Sequence, residues 1–208
     1  MSEAYWNAVK TADITSVAQM LDKSRSLVGE RYAGEAWIPE HIYDSAERKQ
    51  IAAPADFPFT NTALHSATVN GQTELVELLL RYGADTNAIG YEANKGLTPP
   101  VVLAAWEGSL ETLRVLLENG ADPNVSASAE TALYTAAEHD SSDKVDLLLS
   151  HGARHDIFTA TIVGDVELVK RMLSAYPPLH EARSVKRGRT PREEAEHHNR
   201  SEILKLFE

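Results

Sequence analysis

Histidine and carboxylate residues occur together in this sequence in a pattern that could support proton transfer. Glu138 and His139 are consecutive, and Glu107 holds the corresponding place in a similar segment earlier in the chain. A carboxylate beside an imidazole can act with it as a general acid–base pair. His41 and Tyr43, from a separate stretch rich in aromatic residues, could close over that pair. This interpretation gives an acid–base enzyme, isomerase- or cyclase-like, or a small-molecule binding site.

Other features of the sequence argue against catalysis. Eight histidines in 208 residues bring such neighbours together by chance. The sequence contains no nucleophile elbow, no Gly-rich phosphate loop and no His-Glu-x-x-His spacing. Cysteine is absent, which excludes disulfides and thiolate metal sites, and the adjacent His197 and His198 would point to different sides of a helix. We therefore expect no catalytic residue, no cofactor and no metal.

The charge balance restricts the class of partner. With 31 acidic and 20 basic residues the net charge is −11, which argues against nucleic acid and against an anionic membrane surface. We expect a basic or polar protein or peptide as the partner, and a monomer. The first residues lack a basic segment followed by an apolar run, and no apolar run is long enough to span a membrane. The expected location is therefore intracellular, in the cytoplasm.

One basic cluster interrupts the acidic composition. Five cations lie between positions 183 and 192, namely Arg183, Lys186, Arg187, Arg189 and Arg192. They could bind an acidic peptide or a phosphate, or they could offset carboxylates elsewhere in the fold. The sequence leaves both interpretations open.

The elements that position these residues are internal repeats. Thr62–Gly71 resembles Thr131–Asp140, and Glu74–Asn87 resembles Glu111–Asn124 and, in part, Asp143–Arg154. Each unit predicts two helices. A Thr caps the first helix, and leucines at spacings of three and four form a buried stripe on the second. Gly83, Gly120 and Gly152 then end the second helix in the left-handed conformation and recur at intervals of 37 and 32 residues.

This pattern resembles the ankyrin-repeat family, whose period is about 33 residues. The resemblance implies an all-α ankyrin-repeat solenoid of about six helix pairs, two of them caps, with short loop or β-hairpin fingers. It also implies one long insertion after the first pair. The single domain, 1–208, divides into an N-terminal pair (1–26), an insertion (27–57), central repeats (58–188) and a C-terminal cap (189–208). Within this pattern we interpret His65 as structural.

In this family, partner contacts come mostly from the finger tips and from the two residues before the turn between the helices. Carried over position by position, the predicted contacts at the ends of the first helices are Val69, Asn70, Trp106, Glu107, Glu138 and His139. From the fingers come Phe59, Asn61 and Tyr91, and from the insertion Trp37, His41 and Tyr43. Trp106 would anchor the partner as a hot spot, unless it packs under a finger or the insertion as core.

The resemblance therefore favours a non-catalytic protein–protein interaction module that binds through its concave face and fingers. Glu107, Glu138 and His139 would make the centre of the groove acidic, although the same charges could form a solvated face. The alternative is a pocket for a small molecule or substrate between the insertion and the groove. The orientation of Trp37, His41 and Tyr43 distinguishes the two.

Overall fold

The computed structural model of this chain describes residues 2–31, 61–92, 96–126, 131–185 and 187–208. Over these residues the chain forms six helix pairs, as predicted. The first, or inner, helices of the pairs are α1 (Ser2–Lys10), α3 (Ala63–Val69), α5 (Pro100–Trp106), α7 (Ala132–Glu138), α9 (Ile157–Val163) and α11 (Pro191–His197). The second, or outer, helices are α2 (Ile14–Lys23), α4 (Thr73–Arg81), α6 (Leu110–Glu118), α8 (Ser142–Ser150), α10 (Val166–Ala175) and α12 (Ser201–Leu204).

Each inner helix packs beside the inner helix of the next pair, so the pairs stack in sequence order. Turns of 3-10 helix follow α2, α10 and α12, at Arg25–Gly29, Pro177–Glu181 and Lys205–Phe207. No helix in the described part of the chain is long and apolar enough to cross a membrane.

Side-chain caps fix where the inner helices begin. The Thr131 hydroxyl accepts from the amide of Tyr134 at 3.1 Å, and the Thr190 hydroxyl accepts from Glu193 at 3.2 Å. At α3 the cap is reciprocal, because His65 Nδ1 accepts from the amide of Thr62 at 3.2 Å and contacts its hydroxyl at 2.8 Å. Helix starts capped by Thr are therefore confirmed, and His65 is a buried structural residue.

The predicted core positions are buried. The small residues Ala67, Ala104 and Ala136 have no exposed surface, which lets neighbouring inner helices approach closely. Leu75 and Leu79, one turn apart on α4, are likewise fully buried. Gly83, Gly120 and Gly152 end the outer helices with φ of 89°, 85° and 86°, the left-handed conformation that the repeat predicted.

The fingers differ from pair to pair. The finger after α4 carries a two-stranded antiparallel hairpin of β1 (Gly90–Glu92) and β2 (Gly96–Thr98). After α8, by contrast, only six residues separate Ser150 from Ile157, so there is no room for a finger. Two asparagines join the bases of successive units: Asn87 Oδ1 accepts from the amide of Asp122, and Asn124 Oδ1 accepts from the amide of Arg154, both at 2.9 Å.

The core divides at α9, the inner helix of the fifth pair. One buried apolar cluster runs from α1 to α8 and includes Ile162 of α9, whereas a second is built from α9 to α12 around Ile157, Val169, Leu173 and Ile203. The inner helices α7 and α9 still pack together, but the outer helices α8 and α10 contact each other less than other neighbouring outer helices do. The stack therefore has a seam at this point.

Candidate functional site

The predicted contact residues form a row across three neighbouring inner helices. Val69 and Asn70 stand at the end of α3, Trp106 and Glu107 at the end of α5, and Glu138 and His139 at the end of α7. Because α3 packs on α5 and α5 packs on α7, these ends lie side by side. We call these six residues the inner row.

Exposure along the inner row is uneven. Val69, Asn70, Trp106 and Glu107 are partly buried, whereas His139 is exposed. A partly buried tryptophan offers a partner an apolar surface that is already held in place. The α3 to α7 section of the row therefore keeps accessible surface of mixed apolar and polar character.

The end of α5 is held by a lysine from the next pair. Lys144 Nζ donates to the carbonyl oxygens of Ala104, Ala105 and Gly108 at 3.0, 3.1 and 2.8 Å. Desolvation of this amine lowers its pKa. Gly108 is required here for close approach, because a Cβ at this position would lie 2.6 Å from Ala104 Cα. Trp106 thus stands on a helix end fixed by charged hydrogen bonds.

The carboxylate of Glu138, at the end of α7, is held by other side chains of the chain. The Glu138 side chain is only 9% exposed, and its carboxylate forms an ion pair with Arg187. The other carboxylate oxygen lies 3.3 Å from His198 Nε2. Desolvation, the largest single influence, works to lower the pKa of the Arg187 guanidinium, but Glu138 and Tyr134 together raise it above its ordinary value. Glu138 is therefore occupied by the protein itself and offers no open carboxylate to a partner.

A second carboxylate extends this network. Glu194 is fully buried and pairs with Arg189 at 3.2 Å, while Ser184 Oγ lies 3.4 Å from its other oxygen. His198 Nε2 lies 3.9 Å from the same carboxylate. We call Glu138, Arg187, Arg189, Glu194 and His198 the buried ion cluster. It joins the end of α7 to α11 across the intervening helix α9.

The buried ion cluster contains donor types that could hold a metal. One ligand atom each from Glu138, Glu194 and His198 lies within 4.8 Å of the others, and zinc accepts such a set. Each carboxylate, however, is already paired with an arginine, so the fixed charges balance without an ion. The arrangement fits an ion-pair network better than a metal centre.

The sequence suggested that His139 could pair with Glu138 or Glu107 for acid–base chemistry. The structure gives the Glu138 carboxylate other partners. The partners of this carboxylate are Arg187 and His198, while His139 is the exposed residue that ends α7. Glu107 ends the neighbouring helix α5. A general base needs an accessible oxygen near its substrate, and the Arg187 pairing denies Glu138 that role.

Comparison with known proteins identifies the architecture. A family profile of ankyrin repeats in three copies matches residues 45–127 and 89–159, which together cover more than half of the chain. The chain belongs to the ankyrin-repeat family. The last two helix pairs lie almost wholly beyond the matched region, and these are the pairs on the far side of the seam.

The ankyrin relatives are much longer proteins. The chain is 39% identical over 111 residues to an ankyrin repeat and KH domain-containing protein of Caenorhabditis briggsae, covering 52% of this chain and 4% of the relative. It is 42% identical over 100 residues to the ankyrin repeat and KH domain-containing protein mask of Drosophila melanogaster, covering 47% and 2%. It is 34% identical over 104 residues to a putative ankyrin repeat protein of fowlpox virus, covering 48% and 30%. The chain thus spans less than a third of the length of each of these relatives.

The other predicted ankyrin contact residues fall in different places. Asn61 is partly buried below the first finger, where a Cβ on Gly90 would lie 2.3 Å from its side-chain oxygen. Tyr91 lies in strand β1. Phe59, Trp37, His41 and Tyr43 lie outside the described residues, so the prediction that the insertion borders the groove stays a prediction.

Sequence reasoning missed the buried ion cluster, although two of its signals were present. The basic run 183–192 predicts either an acidic peptide or phosphate as ligand or pairing with carboxylates of the fold. The structure supports the second interpretation for Arg187 and Arg189. His198 holds the same place at the end of α11 as His139 at the end of α7. What the sequence did not show was that a side chain from the last loop would reach back two helix pairs.

Proposed function

We propose that this ankyrin-repeat chain binds a basic or polar segment of another protein along the α3 to α7 section of the inner row. The observation that carries the proposal is the alignment of Val69, Asn70, Trp106, Glu107 and His139 on the ends of three adjacent helices. Ankyrin repeats are generally protein–protein interaction modules, which gives this class of function its support.

Rigidity of the platform supports the proposal. Lys144 holds the end of α5, and the asparagine contacts tie successive units together. A repeat stack held in this way loses little conformational entropy when a partner binds. Trp106 then supplies the apolar anchor, and Glu107 supplies the charge that favours a basic partner.

Contacts at the α7 end of the inner row limit where the partner lies. Glu138 is paired with Arg187, and Ile162 at the end of α9 is fully buried. The contact between Glu138 and His198 spans the place where a partner would otherwise continue along the row. The partner therefore lies along the inner row, from Val69 to His139, and does not continue over α9.

Selection of random peptides by phage display on the purified chain tests the proposal. Selected peptides should be enriched in Lys or Arg, and their binding should shift amide resonances of residues 69–70, 105–108 and 138–140 in a ¹H–¹⁵N spectrum. Peptides whose shifts map to the outer helices, for example around Glu118 and Arg171, would overturn it.

A further inference from the structure

A cleft opens at the seam between the fourth and fifth helix pairs. Its volume is about 200 Å³, and it lies between the end of α7, the first turn of α8 and the end of α9. Val145, Ile162 and Val163 supply apolar walls, whereas Asp140, Asp146 and Arg200 supply charge. We call this space the seam cleft. It adjoins the α7 end of the inner row, because Asp140 directly follows His139.

The division of the core explains why the seam cleft exists. Apolar side chains of α8 belong to the first core cluster, and those of α10 belong to the second. The outer helices therefore contact each other little at this point, and the partly buried Val163 at the end of α9 is reachable from the side of α8. A volume of this size holds one long side chain rather than a folded element.

One helix pair earlier, the space that corresponds to the seam cleft lies at the end of α5. There it is filled by a lysine of the chain itself. Lys144 is the third residue after Ser141, the N-cap of α8, and its ammonium reaches the end of the preceding inner helix. In α10 the third residue after the N-cap Asp165 is Leu168, which has no charge to donate. Leu168 packs instead against the second core cluster. At the seam, therefore, the chain has no lysine of its own in this position.

The charges that line the seam cleft favour a cation. Arg200 Nε donates to the carbonyl of Ile162 at 2.6 Å, and its guanidinium lies 3.7 Å from Asp140. Asp146 adds a second carboxylate, which leaves the fixed charge of the lining negative. The C-terminal ends of α7 and α9 also face this space, and helix C-termini favour positive charge. The N-terminus of α8 opposes them but carries an acidic residue, Asp143, in its first turn.

We propose that the seam cleft binds a lysine side chain of the partner protein. The aliphatic stem would lie along Val163 and the exposed edge of Val145, as lysine stems do on apolar surface. The ammonium would lie at Asp146 and Asp140. This proposal rests on the proposed function, because it places the lysine at the α7 end of the row that binds the partner. It adds a determinant of partner specificity: the partner carries a lysine next to the segment that Trp106 anchors.

A model compound tests the subsite without any partner. Nα-acetyl-lysine methylamide is titrated into the ¹⁵N-labelled chain, with Nα-acetyl-norleucine methylamide as the uncharged control of the same stem length. The lysine compound should shift the amides of Asp140, Asp146 and Val163 with a dissociation constant on the order of millimolar. The norleucine compound should bind much more weakly. Equal binding of the two compounds, or no shift with the lysine compound, would overturn the proposal.

Two matched variants locate the charge. Asp146→Asn removes the carboxylate of the cleft and should weaken the lysine compound about fivefold. Asp143→Asn removes the same charge from the same turn of α8 but outside the lining, and should change affinity less than about twofold. Equal effects of the two substitutions would show a general charge effect and refute the site.

Trp106→Ala separates this inference from the proposed function. The variant should lose affinity for selected peptides while binding the lysine compound as the unaltered chain does. If Trp106→Ala weakens the peptides but the lysine compound does not bind, the lysine subsite alone is wrong. If the lysine compound binds but Trp106→Ala has no effect on the peptides, the proposed function is wrong and the cleft remains an amine site.

Discussion

The ammonium of Lys144 lies 2.8 Å from the carbonyl oxygen of Gly108, at the end of the helix that presents Trp106. It also bonds to Ala104 and Ala105, so one charged group satisfies three carbonyls of the preceding helix pair. In the five other turns between paired helices a backbone amide bonds to the alanine carbonyl corresponding to Ala104: Asp13 to Ala8, Gln72 to Ala67, Ser141 to Ala136, Asp165 to Ala160 and Arg200 to Ala195. The turn after α5 lacks this amide bond to the alanine carbonyl, and the ammonium of Lys144 donates to the Ala104 carbonyl in its place.

Replacing Lys144 with Met should destabilise the fold. The substitution keeps most of the stem but removes three charge-assisted hydrogen bonds, so we expect a loss of about 1.5–3 kcal/mol in the free energy of unfolding. Urea unfolding followed by circular dichroism measures it. Lys170→Met, at an exposed position of α10, is the matched control and should cost less than about 0.5 kcal/mol. An unchanged midpoint for Lys144→Met would contradict the role given to the ammonium.

Stability should fall as pH is lowered because of His65. Burial, with the charge of Arg31 adding to it, lowers the pKa of this imidazole to about 4. The native ring is therefore neutral where the unfolded ring, with a pKa near 6.5, already takes up a proton. The stabilisation is complete above about pH 6.5 and is lost toward pH 4, at about 1.4 kcal/mol per pH unit.

Denaturant unfolding at several pH values checks this dependence. His65→Gln retains an acceptor for the Thr62 amide but does not titrate, so its stability should change less over the same range. His197→Gln, at an exposed position of α11, should keep the pH dependence of the unaltered chain. Identical slopes for all three proteins would show that His65 is not the titrating group.

The buried ion cluster should be costly to break. Glu194→Gln removes a fully buried carboxylate from Arg189, which is 26% exposed, and from His198, so we expect a loss of about 3 kcal/mol, the low end for a broken buried pair. Glu196→Gln is the matched control on the same helix. It removes an exposed pair with Arg192 and should cost about 0.3–0.5 kcal/mol. Thermal unfolding of the two variants compares them, and similar midpoints would contradict the importance of burial.

The fold could be predicted from the sequence because each repeat carries the same local signals for where its helices begin, pack and end. Thr131 and Thr190 cap inner helices, Ala67 and Ala136 allow close approach, and Gly120 ends an outer helix as predicted. Each of these roles depends on neighbours within one unit or the next. Local chemistry was therefore sufficient to give the number of helix pairs.

The candidate site followed only in part. The helix ends of the inner row could be located by their distance from the turns, but Glu138 could not be recognised as occupied. Its partner Arg187 lies 49 residues further along the chain, and a loop of irregular length brings the two together. The seam cleft has the same origin, since it depends on how little α8 and α10 contact each other rather than on any motif. Such contacts between distant units leave no periodic signal.

The affinity of a selected basic peptide for the Trp106→Ala variant tests the central claim most directly. Isothermal titration should show a loss of about 2 kcal/mol or more, roughly 30-fold, because a central tryptophan is expected to dominate the binding energy. Val185→Ala, which removes an apolar side chain that is 82% exposed in the last loop, should leave affinity unchanged. Full affinity in a folded Trp106→Ala variant would contradict binding along the inner row.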